Sequence, residues 1–241
     1  MAKVALKDRL KKRLEEQKSK RQVGAIYYQK PDTTIRVRIL NMGEEEEFIK
    51  EVTQFYLGSE LKGVISPSTF GEPCAVAEGY EELKNSDDDD EKELAGKFPP
   101  RNKYLAFCLF YKDEKGKEVD DNLSPKFILL TGGEYQDILE LYLDEDEWGD
   151  MTDPEAGYDI KIARTGSGKM DTEYSVKPCK PTDCPKGFEG PYDLDEEIRK
   201  IMPSYEKTKE YLDKFLGLEP DYEEDAPQPK KKIIKKKKDL D

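Results

Sequence analysis

From Thr33 the chain alternates with period two: Ile35, Val37 and Ile39 alternate with Thr34, Arg36 and Arg38 before the Asn41-Met42-Gly43 turn. Successive side chains of a strand point to opposite faces, so this segment predicts a half-buried strand with one basic face. Glu51 to Leu57 repeats the pattern, with Val52, Gln54 and Tyr56 on one side and Thr53, Phe55 and Leu57 on the other. An aromatic ring here can face either way. Lys103 to Lys112 predicts a strand with aromatics on both sides, Leu105, Phe107, Leu109 and Tyr111 opposite Tyr104, Ala106, Cys108 and Phe110. Asp113 then opens a turn through Gly116. Pro125 to Thr131 is a short apolar strand, and Tyr158 to Arg164 pairs with Thr172 to Lys177 across the turn Thr165-Gly166-Ser167-Gly168-Lys169.

Helical spacing appears elsewhere. Leu6, Leu10 and Leu14 lie four apart among lysines and arginines, which predicts a basic amphipathic helix over 3–21 that Gly24 ends. Gly132-Gly133 leads into a helix carrying Tyr135, Ile138, Leu139 and Tyr142 on one side and stopping near Asp144. Asp193 to Ile201 and Ser204 to Leu216 read as two short helices divided by Pro203, with Gly217 as a stop signal. Between Ser66 and Pro100 strand character gives way to Gly, Pro, a helix-like stretch from Ala75 to Leu83 and the aspartate run Asp87–Asp90, the marks of an insertion.

The order is strands, a helix, then a strand pair. It predicts a mainly β (α+β) fold: a five-stranded OB-fold barrel with an inserted subdomain and helical, partly disordered termini. The expected organisation is a basic N-terminal arm (1–24), an OB-fold core (25–190) interrupted at about 66–100, C-terminal helices (191–217) and a disordered acidic-then-basic tail (218–241).

Composition narrows the function classes. The 241 residues are 35% hydrophobic and 39% charged, enough for one core with solvated extensions. No apolar run approaches the roughly 18 residues of a membrane span, and Met1 to Arg21 is too charged for a signal peptide, so the expected location is the cytoplasm, away from membranes. Histidine is absent, which excludes histidine-dependent triads and mixed Cys/His zinc sites. Cys179 and Cys184 are close in sequence while Cys74 and Cys108 are isolated, so the thiols are expected to be reduced. The net charge of −13 argues against a polyanionic partner until its distribution is read. The acid sits in runs, Glu44–Glu47, Asp87–Asp90, Asp144–Glu147 and Tyr222–Asp225, expected in loops, whereas the strands carry arginine and lysine and seven lysines crowd Lys230 to Lys238.

Thr165 to Met170 resembles the end of a phosphate-binding loop, but Ala163 and Met170 stand where that pattern needs Gly and Ser or Thr. No carboxylate pair sits beside a distinguishing motif, so no enzyme is expected, although carboxylates with magnesium could serve a nuclease. What stands out is aromatic rings interleaved with positive charge in or beside strands: Arg36 and Arg38; Phe55 and Tyr56; Arg101, Lys103, Tyr104 and Phe107; Lys161 and Arg164; Tyr174 and Lys177. Unpaired bases stack on such rings for about 1–3 kcal/mol each whatever their sequence, while neighbouring cations hold the phosphates. These residues are the candidate single-stranded DNA-binding set, although barrels also fill their interiors with large rings.

Beyond this pattern, the chain resembles the single-stranded DNA-binding proteins of bacteriophages, the helix-destabilising type of T-even phages, over roughly residues 20 to 216. The resemblance rests on Thr34-Ile35-Arg36-Val37-Arg38-Ile39-Leu40, Phe98-Pro99-Pro100-Arg101-Asn102-Lys103-Tyr104, the distinctive stretch from Glu147-Trp148-Gly149-Asp150-Met151-Thr152-Asp153-Pro154 to Ile160, Arg164 to Lys169, and Tyr174-Ser175-Val176-Lys177-Pro178. It implies an OB-fold core, sequence-independent cooperative binding of single strands, roles in phage DNA replication, recombination and repair, and a place in the infected host's cytoplasm. It also implies a basic arm, fitting Lys3 to Arg21, that contacts neighbouring subunits, and a C-terminal tail that recruits replication or recombination proteins. Family members carry a zinc subdomain near the segment that here reads Glu72-Pro73-Cys74-Ala75-Val76-Ala77-Glu78, where a Cys-Pro-x-Cys motif would stand. With Pro73 and one displaced cysteine remaining, no cofactor is expected and the metal site is read as lost. The rival expectation is an acidic phage structural or scaffold protein that binds no nucleic acid.

Overall fold

The computed structural model describes residues 26–43, 46–58, 63–119, 123–144, 147–168 and 171–218. The expected N-terminal arm and the acidic-then-basic tail beyond 218 lie outside these residues. Eight strands are present among the described residues: β1 (Ile26–Tyr27), β2 (Thr33–Ile39), β3 (Ile49–Tyr56), β4 (Gly63–Ile65), β5 (Arg101–Leu109), β6 (Lys126–Leu130), β7 (Tyr158–Thr165) and β8 (Glu173–Pro181). Five helices accompany them: α1 (Ala75–Lys84), α2 (Asp89–Ala95), α3 (Gly132–Leu143), α4 (Leu194–Arg199) and α5 (Tyr205–Leu216).

The strands run in the order β1-β6-β5-β2-β7-β8, with β3 and β4 branching from β5. The five-stranded closed barrel is therefore corrected to an open sheet of eight strands, because β1 and β8 end the path and no described ladder joins them. β2 explains the shape. Its residues Thr33 to Val37 pair with β7, while Arg38 and Ile39 pair with β5, so one strand serves two ladders. A strand that changes partners in this way turns a sheet's corner.

The apolar positions of the alternating pattern meet in one core. Ile35, Val37 and Ile39 pack with Leu105, Phe107 and Leu109 of β5, Phe127 and Leu130 of β6, and Ile160 and Ile162 of β7. α3 covers this core through Ile138; Thr131 caps its first turn reciprocally with Glu134, whose carboxylate accepts from the Thr131 amide and hydroxyl at 2.8 Å each. α4 adds Leu194 and Ile198.

A second, smaller cluster lies on the other side of β3. Phe55, Leu57, Val64, Cys74, Val76 and Phe98 are buried together under Tyr80 of α1 and Tyr211, Leu212 and Phe215 of α5. α1 and α5 approach closely because Gly79 has no side chain; a Cβ there would stand 2.5 Å from Leu212. The Thr208 hydroxyl, buried between the helices, accepts the Ala75 amide at 3.1 Å and replaces a helix-capping side chain. The aspartate run, expected in a loop, instead starts a helix: the Asp88 carboxylate accepts the Asp90 amide, and Asp89, Asp90 and Glu91 favour the positive end of α2. Gly217 ends α5 in the left-handed conformation as its position predicts.

Candidate nucleic-acid interface

An open cleft of about 510 Å³ runs across one face of the sheet. β5 contributes Arg101 and Lys103, β3 contributes Gln54 and Tyr56, and β7 and β8 contribute Arg164 and Tyr174. β1 and the residues after it add Tyr27, Tyr28 and Gln29, and the first turn of α3 adds Glu134. Alternation explains the selection. Arg101 and Lys103 lie on one side of β5 and pair across β3 with Gln54 and Val52. Tyr56, 44% exposed, follows Gln54 on that side. Gly63 opposite Tyr56 leaves room for the Gln54 side chain, since a Cβ there would collide with the Gln54 amide nitrogen at 2.0 Å.

Electrostatics in the cleft are predominantly positive. Arg164 lies 5.9 Å from the Tyr174 ring centre and donates to the Gln29 carbonyl at 2.5 Å. Burial, reinforced by neighbouring Arg101, lowers the proton affinity of Lys103 below the usual lysine range, while Glu134 opposes that shift. Burial raises Glu134 above the usual carboxylate range against its bonds from Thr131 and the attraction of Lys103. A larger hollow of about 700 Å³ lies elsewhere, but Glu46, Glu47, Asp193 and Asp195 surround its Lys50, which pairs with Asp195 at 2.9 Å. Its charge is wrong for a phosphate backbone, so the smaller, basic cleft is the better candidate.

Of the residues singled out by sequence, Tyr56, Arg101, Lys103, Arg164 and Tyr174 meet in this cleft. The others do not. Phe55 is 2% exposed because it points to the opposite face from Tyr56, into the aromatic cluster with Tyr80 and Phe98. Phe107 is buried against Phe127 and Tyr192, deeper along the side of β5 that carries Lys103. Tyr104 stacks flat on Tyr135 at 4.0 Å on the reverse side, its ring already partnered. Arg38, 1% exposed, binds the buried Asp159 carboxylate at 2.9 Å and the Thr182 carbonyl at 2.5 Å. Phe55, Phe107 and Arg38 are thus corrected to core residues. Arg36 reaches the same carboxylate at 2.6 Å, and the Tyr111 hydroxyl donates to it at 2.8 Å. Lys161 and Lys177 face each other on the outer side of the β7–β8 ladder, away from the cleft.

Tyr27, Tyr28, Gln29 and Glu134 escaped sequence reasoning. The signal for Tyr27 and Tyr28 was an aromatic pair beside Lys30, but the parallel pairing of β1 with β6 that brings it to the cleft joins segments about a hundred residues apart. Gln54 was legible, sharing the alternation of Tyr56.

Among the described residues, no set fits the zinc that the resemblance implies. Cys74 is buried among the aromatics of the second cluster, Cys108 is buried in β5, and among the described residues no three cysteines and carboxylates converge on a metal position. Among those residues, too, no helix is long and apolar enough to cross a membrane.

No curated protein matches the chain. The family described as gp32 DNA binding protein like matches residues 32–216, which include every strand and helix from β2 to α5. With the match covering most of the sequence, the chain belongs to the gp32-like family of DNA-binding proteins.

Proposed function

We propose that the protein binds single-stranded DNA, without regard to sequence, in the cleft between β3, β5 and the β7–β8 hairpin. The observation that carries this reading is one open groove joining three cations, Arg101, Lys103 and Arg164, with the rings of Tyr27, Tyr28, Tyr56 and Tyr174. Rings offer stacking to any base, and the cations take the phosphates between them. A duplex hides its base faces inside the stack, so this chemistry favours an unpaired strand. An OB-type groove, cooperative coating of DNA through the N-terminal arm, recruitment of replication or recombination proteins by the tail, and service in phage replication, recombination and repair inside the host cell belong to the same reading, supported by the family.

The test is a gel shift with arbitrary-sequence oligonucleotides against Arg101→Ala/Lys103→Ala. The double variant should bind more weakly, with a salt slope shallower by about 1.4, the loss of two phosphate contacts at about 0.7 each on single strands. Equal affinity for single and double strands, or an unchanged slope in the variant, would overturn the assignment.

A further inference from the structure

β8 is the last strand of the sheet, and its two faces carry different chemistry. Arg164 pairs with Tyr174 across the β7–β8 ladder, and both line the cleft. Three residues away along each strand Lys161 pairs with Lys177, and an odd offset places this pair on the opposite face. Arg36 of β2 pairs with Lys161 in turn, so three cations cross three adjacent strands in one row. Strands lie about 4.8 Å apart, which makes the row about 10 Å long.

Arg36 shares the Asp159 carboxylate with Arg38, and neither Lys161 nor Lys177 has a carboxylate partner among the described residues. Like charges directly opposite on a ladder are destabilising unless an anion is shared between them. Along β2, β7 and β8 the carboxylates are the buried Asp159 and Glu173, four residues from Lys177 toward the hairpin end. The Asp113–Lys117 turn closes against Arg36, where a Cβ on Gly116 would meet the guanidinium at 2.8 Å, and it exposes Lys115 and Lys117 together with Glu114 and Glu118. The thiol of Cys179 senses the same convergence: burial pushes it up, and Arg36, Lys161 and Lys112 pull it back down against Asp159.

We propose that a DNA strand leaving the cleft beside Tyr174 turns over the edge of β8 that no described strand pairs and lays its next phosphates on Lys177 and Lys161. This rests on the single-strand reading above and adds a second, purely electrostatic contact surface to it. On this face β7 and β8 carry Asp159, Ala163, Thr165, Glu173, Ser175 and Cys179 beside the two lysines and no aromatic side chain, so it holds backbone and leaves the bases outward.

Two oligonucleotides separate the surfaces: one of about 5 nucleotides, enough for the cleft, and one of about 15, enough to round the edge. Lys161→Gln/Lys177→Gln should leave the short one unchanged. The long one should bind more weakly, with a salt slope reduced by about 1.4. An unchanged long oligonucleotide assigns the lysines to guarding the edge strand or to an acidic protein and overturns the proposal. Equal weakening of both lengths overturns it as well, because the lysines would then belong to the cleft. Wild-type protein that binds neither length refutes the cleft itself, a result distinct from the other two.

Discussion

Arginine and tyrosine from neighbouring strands are assembled twice in this molecule, with opposite results. In the cleft, Arg101, Arg164, Tyr56 and Tyr174 face an open groove. Around Asp159, Arg36, Arg38 and Tyr111 close on a single carboxylate with no exposure to solvent. Residue type alone does not make a phosphate site. One buried carboxylate engages both guanidinium groups, while burial and then the Asp159 charge raise the Tyr111 hydroxyl, so this cluster fastens β2 to β7 and to the segment after β5. The cleft also contains a carboxylate, Glu134, but the hydrogen bonds its oxygens accept come from Thr131, and it acts on Lys103 through its charge without an ion pair among the described residues.

The sharpest way to break this contrast is to remove the carboxylate. Asp159→Ala leaves Arg38 charged and buried without compensation, and should destabilise the fold by about 3–5 kcal/mol in urea unfolding. Affinity of the remaining folded fraction for the oligonucleotide of about 5 nucleotides, which the cleft alone holds, should be unchanged; a stable variant with altered short-strand affinity would merge the two sites. Neighbouring rings give the next test. Phe55→Ala should lower stability by about 3–5 kcal/mol by opening a cavity under α1 and α5, with little effect on DNA once folded. Tyr56→Ala should reverse the pattern, weakening oligonucleotide binding by about 1–3 kcal/mol in a fluorescence titration and sparing the fold.

The smallest effect concerns pH. Lys103 is held below the usual lysine range, so its cation is lost earlier than a free lysine's as pH rises, and affinity should decline on the alkaline side. Glu134 is held above the usual carboxylate range, so acidification neutralises it early and affinity should rise as pH falls through that region. Lys103→Arg should flatten the alkaline limb and Glu134→Gln the acid one, the latter preserving the helix cap because glutamine also serves there. Titrations of either variant that track the wild type at both ends would remove these groups from the binding surface.

The strands were legible in the sequence because alternation at Ile35-Arg36-Val37-Arg38 or Tyr104 to Leu109 reports a local geometry. The open eight-stranded sheet was not, and a closed barrel was expected in its place, since partner choice depends on ladders between distant segments, and β1 and β4 are too short to show a period. In the cleft, Arg101, Lys103, Arg164, Tyr56 and Tyr174 were readable from the interleaving of charge and ring. Their separation from Arg36 and Arg38 was not, because Asp159, more than a hundred residues away, decides it. Likewise Phe55 and Tyr56 differ only in which face each takes, and the helices that bury the first arrive from two remote parts of the chain.

The dual pairing of β2 has a consequence for how this protein can vary. Arg101 and Lys103 sit on the ladders around β5, Arg164 and Tyr174 on the ladder beyond β2, and the backbone from Val37 to Arg38 passes from one to the other. An insertion of one residue at that step would rotate everything after it by half a turn, turning Ile39 off the face on which it is buried. The gap between the two walls is thus counted in whole residues of a single strand, and lineages of this protein should tolerate length changes in their loops long before they tolerate one there.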